Sequence, residues 1–345
     1  MYELTAIGSI ILTFIIAGLV CLWLPGIEKK VEARVQQRIG PNLSSPGIYM
    51  TLKFFFKEVL SPNARMPRVY NALPFVILLI VSVILIILTP DVAIYVGGAA
   101  TSLVALVGLL KVEEIVYLFM SSFSQSIMSK TMPFPDQSKG GKHLDAKQSF
   151  IEQVSASRSL RLISFGSLPF YIALFIPAIM TGSIDFFDIT LYQLLYGPIL
   201  FTLPGILATI AFFVGFLVII NENPFSYMMG HSDVIQGPLF EYVAKYRAIY
   251  TMGHALLIFV GGCIFSTLFL GVAPYVDLGM LSLGWIGVIS ILIHILVPII
   301  CSIILAAAAS VVSAFSPLYT NREILPTILG TSVVGVLALV VAVFI

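Results

Sequence analysis

Eight apolar stretches, at about 2–24, 72–89, 95–125, 162–181, 199–220, 250–271, 282–308 and 325–345, divide this 345-residue chain. Each approaches or exceeds the roughly 18–20 residues that a helix needs to cross ~30 Å of hydrocarbon. A backbone in lipid must hydrogen-bond to itself, so the stretches are predicted to be helices. The fold class expected is all-α, a polytopic membrane protein of about eight transmembrane helices with short interfacial helices. Seventeen of the eighteen Lys and Arg residues fall in 28–68, 130–161, 245–247 and at 322, between spans. The segments 90–94, 182–198 and 272–281 carry Asp91, Asp185, Asp188 and Asp277 and no Lys or Arg. The positive-inside rule then puts loops 26–71, 126–161, 221–249 and 309–324 on the cytoplasmic face of the cell membrane, with both termini outside.

Composition leaves little room for another class, because a chain 59% hydrophobic and 10% charged could not solvate the surface of a globular domain. No loop is long enough to hold a core of its own, so residues 1–345 are read as a single integral membrane domain. The first span starts at Met1 with no basic flank and no small-residue cleavage site, and is expected to be retained. A net charge of +1 hides strong sidedness and gives no footing for nucleic acid. Cys21, Cys263 and Cys301 lie far apart, and His143, His231, His254 and His294 fit no ligand spacing. No metal or other cofactor is therefore expected on this chain, and any redox centre is assigned to a partner.

The densest polar segment follows the first span and contains Glu28, Lys29, Lys30, Arg34 and Arg38 before a stop at Gly40, Pro41 and Asn42. An ordinary basic flank for anionic lipid would need neither alternating signs nor a fixed turn. The pattern suits docking of an acidic protein surface better. Residues 46–60 then place Ile48, Leu52, Phe55, Phe56, Val59 and Leu60 on one face and Lys53 and Lys57 on another, the spacing of a helix lying in the membrane interface.

The third span carries Lys111, Glu113 and Glu114 near its midpoint, where charge is costly unless it pairs or meets water. Lys111 and Glu114 are three residues apart and can pair on one helical face, and Tyr117 can donate to either carboxyl. One ammonium for two carboxyls leaves one acid over, so these residues are candidates for a proton or ion path, with a neutralised packing pair as the simpler alternative. The loop from Glu222 to Tyr242 mixes Met and aromatic residues with ionisable ones. His231, Asp233 and Glu241 in it are further candidates, since a histidine beside a carboxylate can pass protons. A buried loop with satisfied polar groups fits the same residues.

Two of these segments carry a family resemblance. Glu28, Lys29, Lys30, Ala33, Arg34, Gln36, Arg38, Gly40, Pro41 and Asn42, in that spacing, resemble the first-loop signature of subunit 1 of respiratory NADH:quinone oxidoreductase (complex I) and of its counterpart in energy-converting membrane-bound hydrogenases. Pro224 and Phe225, followed by Gly237, Pro238, Leu239, Glu241 and Tyr242, are similar to the family's third-loop signature in its hydrogenase and formate hydrogenlyase branch, as are Ala156, Ser157 and Arg158. The resemblance implies a membrane anchor and coupling subunit. It would seat a peripheral arm of Fe-S and large catalytic subunits, which would carry Fe-S clusters and NiFe or flavin, and link electron transfer to H+ or Na+ movement through antiporter-like membrane subunits. The chain departs from the pattern in keeping only Asp233 between Pro224–Phe225 and Gly237, and in having no acid from Ser157 to Pro169. Those losses rank a sulfane sulfur reductase level with a hydrogenase and ahead of the quinone-site subunit of complex I. A stand-alone secondary transporter would need an inverted repeat, and the two halves show none. An intramembrane hydrolase lacks a nucleophile and base.

Overall fold

The computed structural model describes residues 2–62, 64, 66–89, 101–124, 157–226 and 241–344. Helix α1 (Tyr2–Cys21) runs through a short turn into α2 (Leu24–Val35), and a wide π turn (Ser45–Tyr49) leads into α3 (Met50–Phe55). The longer elements are α4 (Pro67–Ile87), α5 (Leu103–Phe123), α6 (Leu168–Thr181), α7 (Phe186–Tyr196), α8 (Leu203–Ile219), α9 (Lys245–Leu270), α10 (Trp285–Phe315) and α11 (Asn321–Phe344). Among the described residues no strand forms beyond two isolated bridges, Ala64 to Ser124 and Ser102 to Asp185. The protein is an all-α, multi-pass membrane chain.

Helices occupy all eight predicted spans, but six segments among the described residues are long and apolar enough to cross a membrane: Ile7–Val35, Pro67–Ile87, Ser157–Thr181, Lys245–Leu270, Trp285–Phe315 and Arg322–Phe344. The other two fall short for physical reasons. Helix α8 has 17 residues because a 3-10 turn at Ile199–Phe201 takes up the start of its apolar stretch. Helix α5 has 21 residues but carries Lys111, Glu113 and Glu114.

Local chemistry also redraws two loops. Residues 28–35, expected in the first loop, continue as α2, because Pro25 sits at the first helical turn, where its missing N–H leaves no bond unmade. Within 182–198, expected as loop, α7 forms between Asp185 and Gly197. The interfacial helix expected over 46–60 is shorter, ending at Phe55, with Leu52, Phe55, Phe56, Val59 and Leu60 all exposed.

Helix α9 is the central post of the bundle. Its apolar stretch is 83% enclosed by the rest of the chain, against 22% for α10. Bare backbone lets its neighbours close in: a Cβ on Gly262 would stand 2.1 Å from Ser302 Oγ, whose hydroxyl donates to the carbonyls of Phe259 at 3.0 Å and Pro298 at 2.7 Å. Helices in lipid gain little from apolar burial against one another, so close approach over small residues carries their association. A second close contact fixes the first loop. A Cβ on Gly26 would lie 1.7 Å from the carbonyl oxygen of Leu43, and one on Gly47 would lie 1.7 Å from that of Leu22. The two glycines lock the π turn against the start of α2.

The Gly26→Ala variant is therefore expected to lose about 1–3 kcal/mol, the usual cost of overpacking, read as a lower thermal unfolding midpoint of the detergent-solubilised protein. Gly18→Ala, on the same N-terminal pair of helices with nothing within 4 Å of its added methyl, is the control and should unfold like the parent.

Candidate functional site: a charged cluster, a tyrosine column and an arginine clamp

Helix α5 opens at Ser102, whose side chain accepts from the Ala105 amide, and its turn geometry places positions 110, 113, 114 and 117 toward the interior. Lys111 lies at the edge of that face, its side chain 36% exposed. Its ammonium donates to Glu114 Oε2 at 2.7 Å, to Ser167 Oγ at 2.6 Å and to the Ile163 carbonyl at 3.0 Å. An ammonium has three N–H donors, and all three are used. The Ser167 hydroxyl donates in turn to Glu114 Oε2 at 3.2 Å, and the Tyr171 hydroxyl donates to Glu114 Oε1 at 3.0 Å. The Lys111 ammonium also sits 4.5 Å over the Tyr171 ring. Lys111 and Glu114 thus form a closed, neutral pair tied to the π turn Leu162–Gly166 and the start of α6.

Glu113 has no such cage. It is wholly buried, and neither carboxyl oxygen has a hydrogen bond of standard geometry among the described residues. The groups that act on it are Glu114 and the Tyr117 hydroxyl. The sequence paired the right residues on α5; it missed Ser167 and Tyr171, which come from a helix more than fifty positions away and leave no local signal.

A column of near-parallel rings stands beside this cluster. Tyr70 and Tyr242 stack at 4.1 Å and 4°, with the Tyr242 hydroxyl donating to the Tyr70 carbonyl at 2.8 Å. Tyr242 stacks over Tyr250 at 6.5 Å, and Tyr250 over His254 at 6.1 Å. Tyr117 meets Tyr250 edge-on at 6.3 Å, and the Arg247 guanidinium lies 5.8 Å over the Tyr250 ring. The recurrence of Tyr246, Tyr250 and His254 every four residues on α9 was a legible signal for one helical stripe. Glu241, next in sequence to Tyr242, acts electrostatically on Tyr70 at the end of this column. Burial raises Tyr242 far above the ordinary phenol range.

A third group gathers where α2 meets the segment after α8. Glu28, grouped by sequence with the docking residues, is 8% exposed and faces Glu222 rather than solvent. Lys29 pairs with Glu32 at 2.7 Å, and Lys30 reaches the Pro41 carbonyl at 3.5 Å. Arg34, Arg38 and Pro41 are exposed beyond them, and Gly40 takes a left-handed φ of 72°. Burial lifts the Glu222 carboxyl above its usual range; Lys29 and the Ser313 hydroxyl oppose the shift without cancelling it.

Arg158 ties the same region to α6. Its guanidinium donates to the carbonyls of Ser226 at 2.9 Å, Pro224 at 3.4 Å and Tyr319. The Tyr319 amide in turn donates to the Pro224 carbonyl at 3.1 Å. One side chain therefore holds segments 224–226 and 319 against the helix that grips Lys111. His231, Asp233 and the loop 126–156 lie outside the described residues.

The sequence pattern of NADH dehydrogenase matches residues 7–130 and 146–344, nearly the whole chain. The chain belongs to the NADH dehydrogenase family. Among relatives, an uncharacterised protein of Methanocaldococcus jannaschii is 36% identical over 327 residues, covering 95% of each chain. The H-type membrane subunit of NADH-quinone oxidoreductase from Rubrobacter xylanophilus is 25% identical over 273 residues, covering 76% of this chain and 75% of that one. A chain in the structure of the membrane-bound sulfane sulfur reductase, an archaeal respiratory membrane complex, superposes with a TM-score of 0.77 at 22% identity over 98% of this chain and 99% of that one, which fixes the fold. Within that family, the chain is similar to the H-type membrane subunit of NADH-quinone oxidoreductase.

Two outcomes test the electrostatics. Lys111→Met, which strands Glu114 among apolar helices, is expected to cost about 3–5 kcal/mol, and Lys111→Met with Glu114→Gln to recover most of it, both read from unfolding midpoints in detergent. For Glu222 the raised carboxyl means that the folded state holds a proton the unfolded state has released. Its share of the stability is flat below the ordinary value of 4.5 and declines as pH rises from there through the raised folded value. Glu222→Gln should flatten that part of the stability-versus-pH curve.

Proposed function

We propose that this chain is the anchor and coupling subunit of a complex I-related respiratory complex of the hydrogenase or sulfane sulfur reductase type. In this reading the basic segments face the cytoplasm, the termini lie outside, and the eight apolar stretches all cross the cell membrane. Lys29, Lys30, Arg34 and Arg38, with the turn at Gly40 and Pro41, seat a peripheral arm whose subunits carry Fe-S clusters and NiFe or flavin. Glu28, buried beneath them, braces that surface. Lys111, Glu113 and Glu114, with Glu241 and with His231 and Asp233 of the third loop, respond to redox events and move H+ or Na+ in concert with antiporter-like membrane subunits. The sulfane sulfur reductase assembly ranks with the hydrogenase because the chain lacks acids at the start of α6 and through most of the third loop.

The observation that carries the proposal is Glu113: a carboxyl in the middle of a membrane helix, wholly buried, with the one nearby ammonium already committed to Glu114. A group of that kind is costly as a packing element and useful as a proton carrier. Likeness to the H-type membrane subunit of NADH-quinone oxidoreductase supports a second reading, a quinone-site subunit.

Glu113→Gln and, separately, Glu241→Gln are expected to leave the complex assembled and electron transfer within about twofold of normal, while ion movement per electron falls by about tenfold or more. The measurement is ion uptake by vesicles holding the purified complex, with subunit composition checked by mass spectrometry. Full pumping at normal yield in both variants would remove the coupling role. Bound quinone in the purified complex would select the second reading.

A further inference from the structure

Helix α5 turns one face away from the bundle. Val104, Gly108, Val112, Ile115 and Phe119 recur along it at helical spacing and are all exposed, and a Cβ on Gly108 would meet nothing within 4 Å. Lys111 lies at the edge of that row, in the middle third of the helix, with its side chain 36% exposed against 4% for Glu114. Its bonds to the Ile163 carbonyl and to Ser167 join the row to Phe165 and Leu168, exposed on the neighbouring segment. The exposed rows of α1, from Ile7 to Leu19, and of α10, from Trp285 to Ile304, carry no Lys, Arg, Asp or Glu and suit a hydrocarbon solvent. The face on α5 does not. An ion pair partly open at the depth of the acyl chains is costly, and side chains of this kind face protein or water.

We propose that a transmembrane helix of a partner subunit packs along α5 over Gly108 and closes the exposed side of Lys111. The occupant is protein rather than lipid, because an acyl chain would leave the Lys111–Glu114 pair against hydrocarbon. It is a helix, because at that depth a backbone must satisfy its own hydrogen bonds. Its facing residues are small: bare backbone at Gly108 lets two helices approach closely, and close approach over small residues holds helices together in lipid. They are also uncharged, since the three donors of Lys111 are already taken by Glu114, Ser167 and the Ile163 carbonyl, and a facing acid would be left unpaired. This inference rests on the reading of the chain as one subunit of a larger membrane complex and assigns the surface at which one neighbour sits.

The test uses the purified complex. A benzophenone-bearing phenylalanine placed at Phe119, where an exposed ring already stands in the row, should cross-link on illumination to a single apolar peptide of one co-purifying membrane subunit, identified by mass spectrometry. Gly108→Leu, which fills the open space, should lower retention of that same subunit by about tenfold or more. The Gly108→Leu chain on its own in detergent should unfold at the parental midpoint, because its added side chain meets no atom of the chain itself. Cross-linking at Phe119 to lipid, or a full complement of subunits in Gly108→Leu, overturns the proposal. So does a lowered midpoint of the isolated variant, which would show the face closed by the chain's own residues. A complex that pumps ions normally with lipid at Phe119 refutes this surface alone, whereas a chain that purifies with no partner refutes the multisubunit reading as well.

Discussion

An ammonium on a membrane helix can be kept only if its surroundings replace water, and Lys111, at the edge of the bundle, has all three of its donors taken by protein. One carboxylate, one serine hydroxyl and one backbone carbonyl take its three donors, and the phenol of Tyr171 closes the far oxygen of Glu114. The cage comes from two segments, α5 and the stretch 163–171, so the charge also specifies how those segments pack. A bare hydrocarbon contact would tolerate sliding; this one fixes register and depth. Glu113 acquires its character by exclusion, because the cation beside it has no donor left to give.

The bundle that holds this cluster is built around α9, and its construction is that of lipid-embedded helices. Glycines at close crossings replace the large apolar knobs of a soluble core, and Ser302 bridges α10 to α9 by donating to a carbonyl on each helix. The same helix α9 carries Arg247, Tyr250 and His254 on its first turns, so the best-enclosed of the six long spans also bears a line of polar side chains.

Much of this was legible beforehand. The spans could be placed because hydrocarbon thickness sets a length and charge avoids it, and the Lys111–Glu114 pair because three-residue spacing puts two side chains on one face. The extension of α2 through Glu28 and Lys29 was hidden by their charges, which look like loop until Pro25 is recognised as a helix start. The count of clear spans differed because α5 carries three charged residues and α8 gives up the start of its apolar stretch to a 3-10 turn. Ser167, Tyr171, Arg158 and the meeting of Glu28 with Glu222 depend on contacts between distant segments, and periodicity in one segment carries no information about its neighbour. The tyrosine stripe on α9 was visible in spacing but had no chemistry attached until Tyr117 was seen against it.

The wide turn at Leu162–Gly166 stands between two grips, Arg158 on the loop segments and Ser167 with Tyr171 on Glu114. A helix advances by about 100° of rotation per residue, so the spare residue in that turn sets the angular phase between the two. Without it, the guanidinium and the serine could not both point at their targets from one continuous rod. The irregular turn is therefore a phase adjuster, and it allows a single helix to address two loop segments at one end and a buried charge at the other.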